Sequence, residues 1–169
     1  MLSPVPVFDG HNDVVLKIAA AKERRADLWL RGEGAGHLDL PRMLSSGFAG
    51  GFFAVYIPSP QTVDFADYDA MMDNPPYDIP LPELIGPAAA QPVAVEMLGH
   101  LLWMERASEG RFRWCRAASE IRATMAAGAV AGVLHFEGAE PIGENLDALH
   151  LFHAMGLRSL GPVWSRPTL

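Results

Sequence analysis

The chain has 169 residues, half of them hydrophobic and a fifth charged, with 13 basic against 20 acidic side chains and a formal net charge of -7. That length fits one domain, and that much apolar material buries a real core, which excludes a disordered or low-complexity protein. A net acidic surface repels phosphate backbones and anionic lipids, so nucleic-acid and membrane-surface roles are disfavoured. The single cysteine, Cys115, forbids an intrachain disulfide and points to a reducing, cytoplasmic compartment. The N-terminal Met-Leu-Ser-Pro-Val-Pro-Val lacks the basic region and apolar run of a signal peptide. No apolar stretch reaches the roughly 18 residues that span a bilayer, so no membrane anchor is expected.

Val5-Pro6-Val7-Phe8 is a short apolar run bounded by Asp9-Gly10, which predicts a buried strand ending in a turn. Residues 14–25, with Val15, Ile18 and Ala19 on one face, predict a helix. Asp39 predicts the cap of a short helix with Pro41 in its first turn and Gly47 at its end. Residues 51–57 are aromatic and β-branched on both faces, as in a strand covered on both sides. Residues 58–92 hold more than half of the 14 prolines and predict no long regular element. They read as an excursion over one face, in which Phe65, Tyr68, Met71, Met72 and Leu84 seek something to pack on.

Val93, Met97, Leu101 and Met104 recur at helical spacing over residues 93–109, and Gly110 stops that helix. Ser119 predicts the cap of a helix running through Ala127, with Gly128 as terminator. Residues 129–136 read as a second continuous apolar strand, 144–155 as a helix closed by Gly156, and 157–163 as a last strand. Four apolar strands alternating with helices predict an α/β fold with a parallel sheet, as a barrel or a doubly wound sheet.

Polar residues concentrate where the strands finish. Strand one runs into Asp9-Gly10-His11-Asn12-Asp13, and the third into His135-Phe136-Glu137-Gly138. In a repeated βα architecture the carboxyl ends of the strands share the face that carries the active site. His11 and Asp13, two apart, point the same way in an extended segment, and an imidazole nitrogen beside a carboxylate suits a zinc-like divalent ion. Glu137 could add a third ligand or bridge two ions. The same residues also admit a plainer reading: Asp-Gly and Asn-Asp are turn chemistry, and Asp13 is a good helix cap. His100, His150 and His153 fit packed or surface positions, His37 sits in a glycine-rich loop, and His135 could face Glu137's side or the core. Cys115 reads as a buried thiol without nucleophilic companions.

Phe8-Asp9-Gly10-His11-Asn12-Asp13 resembles the first-strand signature of the membrane (renal) dipeptidase family, zinc peptidases of the amidohydrolase-like barrel group. The resemblance continues at Asp39-Leu40-Pro41-Arg42-Met43, at residues 47–53, at residues 132–138 and from Leu146 to Leu160. It covers nearly the whole chain in order. It implies a (β/α)8 TIM-barrel fold of which about the first four βα units are present, so residues 1–169 would form its N-terminal half. It further implies two Zn2+ ions, with His11 and Asp13 on one, Glu137 bridging both, and a metal-bridging hydroxide attacking the peptide carbonyl of a dipeptide. In the family the second zinc takes histidines from strands five and six and an acid/base aspartate comes from strand eight. A full barrel needs about 250 residues or more, so no catalytic residue is assigned within this half. The family's substrate-side histidine after strand four falls at Trp164, an indole that donates a hydrogen bond but takes no proton.

The resulting expectation is zinc-dependent hydrolysis of dipeptides in the complete enzyme, with His11, Asp13 and Glu137 as metal ligands and Trp164 as a substrate contact. Two other readings stand beside it. One is a non-catalytic barrel half or assembly module, as a homo-oligomer or in association with a C-terminal half. The other is a metal-dependent amidohydrolase or lactonase with the same strand-end ligands.

Overall fold

Apolar two-sided segments such as Phe52-Phe53-Ala54-Val55 lose the most contact with water when stacked between neighbours in a sheet and covered by helices. The computed structural model, which describes residues 5–59, 70–78, 81–164 and 166–169, shows them doing so. The strands are β1 (Val7–Asn12), β2 (Phe48–Tyr56), β3 (Phe112–Trp114), β4 (Val130–Glu137) and β5 (Leu157–Gly161). All pairings are parallel, in the order β1-β2-β4, with β3 and β5 both on the far side of β4. Those two do not compete. Val130 to Gly132 pair with β3, and Leu134 to Glu137 pair with β5. The parallel α/β expectation is met, with one short strand, β3, that the sequence reading did not contain.

The helices are α1 (Val14–Ala21), α2 (Leu40–Ser46), α3 (Pro87–Ala107), α4 (Ala118–Ala126) and α5 (Asp147–Met155). Several boundaries differ from expectation for identifiable reasons. β1 does not turn at Asp9-Gly10 but continues to Asn12, because β2 supplies ladder partners as far as Phe53. The helix read over 14–25 stops at Ala21 and gives way to a 3-10 turn at Lys22–Arg24 and a π turn at Asp27–Arg31, where Lys22 takes a positive φ of 49°. The proline-rich stretch does contain regular structure: α3 starts at Pro87, in the first turn where a missing N–H costs nothing, and runs through Pro92. Ala90, Ala94, Met97, Leu98, Leu101 and Met104 are buried along it, and that packing outweighs one lost helical bond. Met71, Met72 and Leu84 are exposed, contrary to the expectation that they pack on one face; Phe65 and Tyr68 lie outside the described residues. Ser119 is not the cap of α4. Ala117 holds that place, and Glu120 Oε2 instead accepts the Arg116 N–H at 2.6 Å. Asp39 caps α2 as read, accepting from the Arg42 N–H at 2.8 Å, with Gly47 closing the helix at φ 82°.

The core lies between the helices and one face of the sheet. Trp29, Phe112 and Phe53 stack edge to face, with ring centroids 5.3 and 5.0 Å apart, and all three are fully buried. The Trp29 indole donates to Ser108 Oγ at 2.8 Å, so its polar atom is satisfied in the interior. Gly132 makes this packing possible. A Cβ there would come within 2.5 Å of the Phe112 ring. Leu134 and Phe136 continue the same face, and Phe136 meets Phe152 of α5 at 4.9 Å. The opposite face carries Phe8, Phe52, Tyr56, His135 and Glu137, none of them fully buried.

Candidate metal centre

The site is built at the C-terminal ends of β1 and β4. At the end of β1, a local hydrogen-bond chain decides which side chains are free. Asp9 accepts from the His11 N–H at 3.4 Å and from Asn12 Nδ2 at 2.9 Å, and Asn12 Oδ1 accepts from the Val14 N–H at 3.4 Å. The buried Asn12 thus serves the first turn of α1, and Asp13 makes no capping bond with its side chain. The plainer reading of Asp13 as helix cap is thereby overturned. Its carboxylate instead stands with Oδ1 3.4 Å from His11 Nε2.

From β4, Glu137 brings Oε2 to 3.4 Å from the same His11 nitrogen. His11, Asp13 and Glu137 each offer a ligand atom, and these atoms lie within 4.8 Å of one another. The three residues singled out from sequence therefore converge, although Glu137 is more than a hundred positions from His11. The register of β1 on β2 and of β2 on β4 produces this meeting.

The electrostatics favour a cation at this point. Partial burial pushes the Glu137 carboxyl above its ordinary range, Asp13 and Glu140 push the same way, and His11 alone pulls it down. His135, two residues earlier on the same face, lies edge to face with His11 at 5.5 Å between ring centroids. Its Nδ1 shares a hydrogen bond with Ser159 Oγ at 2.9 Å. Burial first and His11 second hold its pKa below the ordinary histidine value, and the Ser159 bond only partly offsets them. A neutral imidazole at pH 7 follows. One histidine nitrogen with two carboxylates, short of positive charge, is a donor set that fits a zinc-like ion.

Trp164 lies next to this face. It meets Tyr56 edge to face at 5.1 Å, and Tyr56 is the register partner of Glu137. The remaining histidines stay apart from the cluster. His100 lies 3.8 Å from Glu96 on α3, and His37, His150 and His153 are exposed. Cys115 is buried, shares a 3.5 Å contact with Thr124 Oγ1, and has its thiol pKa raised by burial. A cleft lined by Arg113, Glu120, Thr124 and Ala127 lies beside β3, away from the strand ends that carry the donors.

Sequence reasoning missed one pair. Arg166 is fully buried and donates from Nε to Glu140 Oε1 at 2.7 Å, with both side chains wholly inaccessible. Asp9 and Asn12 were read only as turn residues, and their bracing of His11 was missed as well. Their proximity to His11 in the motif was the available signal. For Arg166 and Glu140, no periodicity or spacing distinguished them from surface charges.

Comparison with known proteins places this geometry in context. A family model described as membrane dipeptidase (peptidase family M19) matches residues 1–168. The crystal structure of a metallo peptidase from Rhodobacter sphaeroides, liganded with a phosphinate mimic of the dipeptide L-Ala-D-Ala, is 61% identical with a TM-score of 0.92, covering 98% of this chain and 47% of that one. The crystal structure of a metallo peptidase described as dipeptidase AC is 60% identical with a TM-score of 0.90, covering 98% of this chain and 46% of that one. A protein of Acinetobacter calcoaceticus, described as an uncharacterized protein in the PQQ-III 3′ region, is 31% identical over 165 residues, which is 97% of this chain and 50% of that protein. The chain spans about half the length of the relatives it matches. No helix among the described residues is long and apolar enough to cross a membrane.

Proposed function

The chain belongs to the membrane dipeptidase family, peptidase family M19, and on that premise we propose that it is the N-terminal half of a zinc-dependent dipeptidase barrel, with His11, Asp13 and Glu137 as metal ligands. The observation that carries this reading is the convergence of those three donors at the ends of β1 and β4. His11, Asp13 and Glu137 would hold a divalent ion, which would supply Lewis acidity for activating a water and for stabilising negative charge on a carbonyl oxygen. The chain's own residues do the rest of what is assigned to this half. His11 and Asp13 present a nitrogen and an oxygen from one short segment, kept in place by Asp9 and Asn12. Glu137, whose carboxyl partial burial pushes above its ordinary range, would be drawn to its ionised form by a cation, and its two oxygens could serve more than one ion. Neutral His135 adds no competing positive charge. Trp164 and Tyr56 supply an aromatic wall for a small substrate beside Glu137.

The substrate class rests on the similarity to the Rhodobacter sphaeroides enzyme, whose bound ligand is a phosphinate mimic of a dipeptide. The test is metal content and dipeptide hydrolysis of the protein as its gene encodes it, with Glu137→Gln as the comparison. The isosteric change removes one charge without opening space. Hydrolysis of L-Ala-D-Ala is expected to fall about 100-fold or more, together with loss of bound zinc. Equal zinc content and equal rate in the variant would exclude the assignment. A second reading, favoured by the roughly half-length coverage, is that residues 1–169 alone are inactive; full hydrolysis by these residues in isolation would refute it.

A further inference from the structure

Resting on that dipeptidase reading, we propose that Arg166 is a positioning residue that fixes the Trp164–Tyr56 wall beside Glu137 and thereby sets substrate affinity. From the segment after β5, its guanidinium reaches the segments after two other strands, β4 and β2. Nε donates to Glu140 Oε1 in the loop after β4, at 2.7 Å. Nη1 donates to Ser59 Oγ at 2.9 Å and Nη2 to the Ile57 carbonyl, both just beyond β2. The side chain itself belongs to the segment after β5. Its Cζ also lies 5.4 Å from the centroid of the Tyr56 ring, whose own edge-to-face partner is Trp164.

The planar fork of an arginine suits this task, since it offers several donors in fixed relative directions and stacks on an aromatic face as well. Burying the charge is expensive unless it is paired, and Glu140 supplies the counter-charge. The loop that carries Glu140 is tied to the β5 side by backbone bonds too, from the Gly138 N–H to Gly161 O at 2.8 Å and from the Ala139 N–H to Pro162 O at 3.0 Å. Glu137 directly precedes that tied segment. Trp164 is two residues before Arg166 and nearly half exposed, and its indole packs edge to face on the Tyr56 ring that the guanidinium faces. A buried clamp under an aromatic pair whose outer ring is half exposed is the arrangement expected where a surface must be preformed for a ligand.

The experiment compares Arg166→Gln and Arg166→Lys with the parent, in the protein as encoded and loaded with zinc. Three quantities are read: kcat and KM for L-Ala-D-Ala, bound zinc, and acrylamide quenching of Trp164, taken as the difference from Trp164→Phe in each background. For Arg166→Gln the expected result is a KM about tenfold higher, kcat within about threefold, unchanged zinc and more readily quenched Trp164. Arg166→Lys, which keeps the charge but not the fork, is expected to rise about threefold in KM, and it carries the test if the glutamine variant does not fold. Unchanged KM and unchanged quenching overturn the proposal, and so does a loss confined to zinc content or kcat. A parent that fails to hydrolyse dipeptides defeats the reading of the previous subsection instead. The quenching comparison needs no substrate and still decides whether Arg166 holds the wall.

Discussion

Phe52 and Phe53 are neighbours in β2, yet the pleat sends them to opposite faces with different fates. Phe53 is fully buried, packed on Phe112 at 5.0 Å beneath the helices. Phe52 is half-buried and meets Phe8 and His135, at 5.8 and 6.2 Å between centroids. The same alternation separates Phe136 from Glu137 and His135 in β4. One face of the sheet is a packed interior; the other carries aromatic rings interleaved with ionisable groups. The packed core and the candidate metal donors thus lie on opposite sides of the same strands. The ends of β1, β4 and β5 can therefore hold charged groups without disturbing the core.

Breaking the packed face is expected to have the largest effect on stability. Phe53→Ala should cost about 3–5 kcal/mol, the range for emptying a fully buried aromatic site. Phe52→Ala should cost about 1–2 kcal/mol, since less apolar surface leaves contact with protein. Urea unfolding of both variants measures the gap, and equal costs would erase the distinction between the faces.

The boundary between the faces is sharpened by Gly138. It adopts φ +110°, and a Cβ there would lie 2.1 Å from Glu140 Oε2. Gly138→Ala therefore combines backbone strain with displacement of a buried carboxylate, and about 2–3 kcal/mol is the expected loss. Because the strained residue follows Glu137 directly, the proposed metal assignment expects zinc affinity to weaken alongside the midpoint of unfolding. A variant with parent stability and zinc affinity would show that the loop tolerates the change.

The smallest expected effect concerns Cys115, on the packed side. Burial raises its thiol pKa above the unfolded value, so the folded state binds the proton more tightly. The stabilisation this gives is complete below the unfolded thiol pKa and is lost as pH rises through the folded one. Unfolding free energy should therefore decline above about pH 9, by an amount that Cys115→Ser removes, and iodoacetamide should label Cys115 slowly at pH 8 unless the chain is unfolded. Rapid labelling of the folded protein at that pH would contradict the burial.

Much of this was legible in the chain itself. Apolar runs at 51–57 and 129–136 mark strands because no other placement removes both of their faces from water, and Asp39 with Gly47 mark a helix through backbone groups that only local residues can satisfy. His11, Asp13 and Glu137 stood out because ionisable residues directly after apolar strands must lie on one edge of a parallel sheet. The boundaries were less legible. Ladder partners on β2 extend β1 past Asp9-Gly10, and burial of Ala90 and Ala94 carries α3 through Pro92, both decided by neighbours distant in sequence.

Local pattern thus determined where four of the five described strands lie and which polar groups sit at their ends, because propensity, pleat and capping act over a few positions. Tertiary structure alone decided what those groups do. Asp9 and Asn12 release Asp13 from capping, and register brings Glu137 to within 3.4 Å of His11. Arg166 finds Glu140, Ser59 and Ile57 across 26, 107 and 109 positions of sequence. A buried charge is tolerated only where its partners are already in place, and only the assembled fold puts them there.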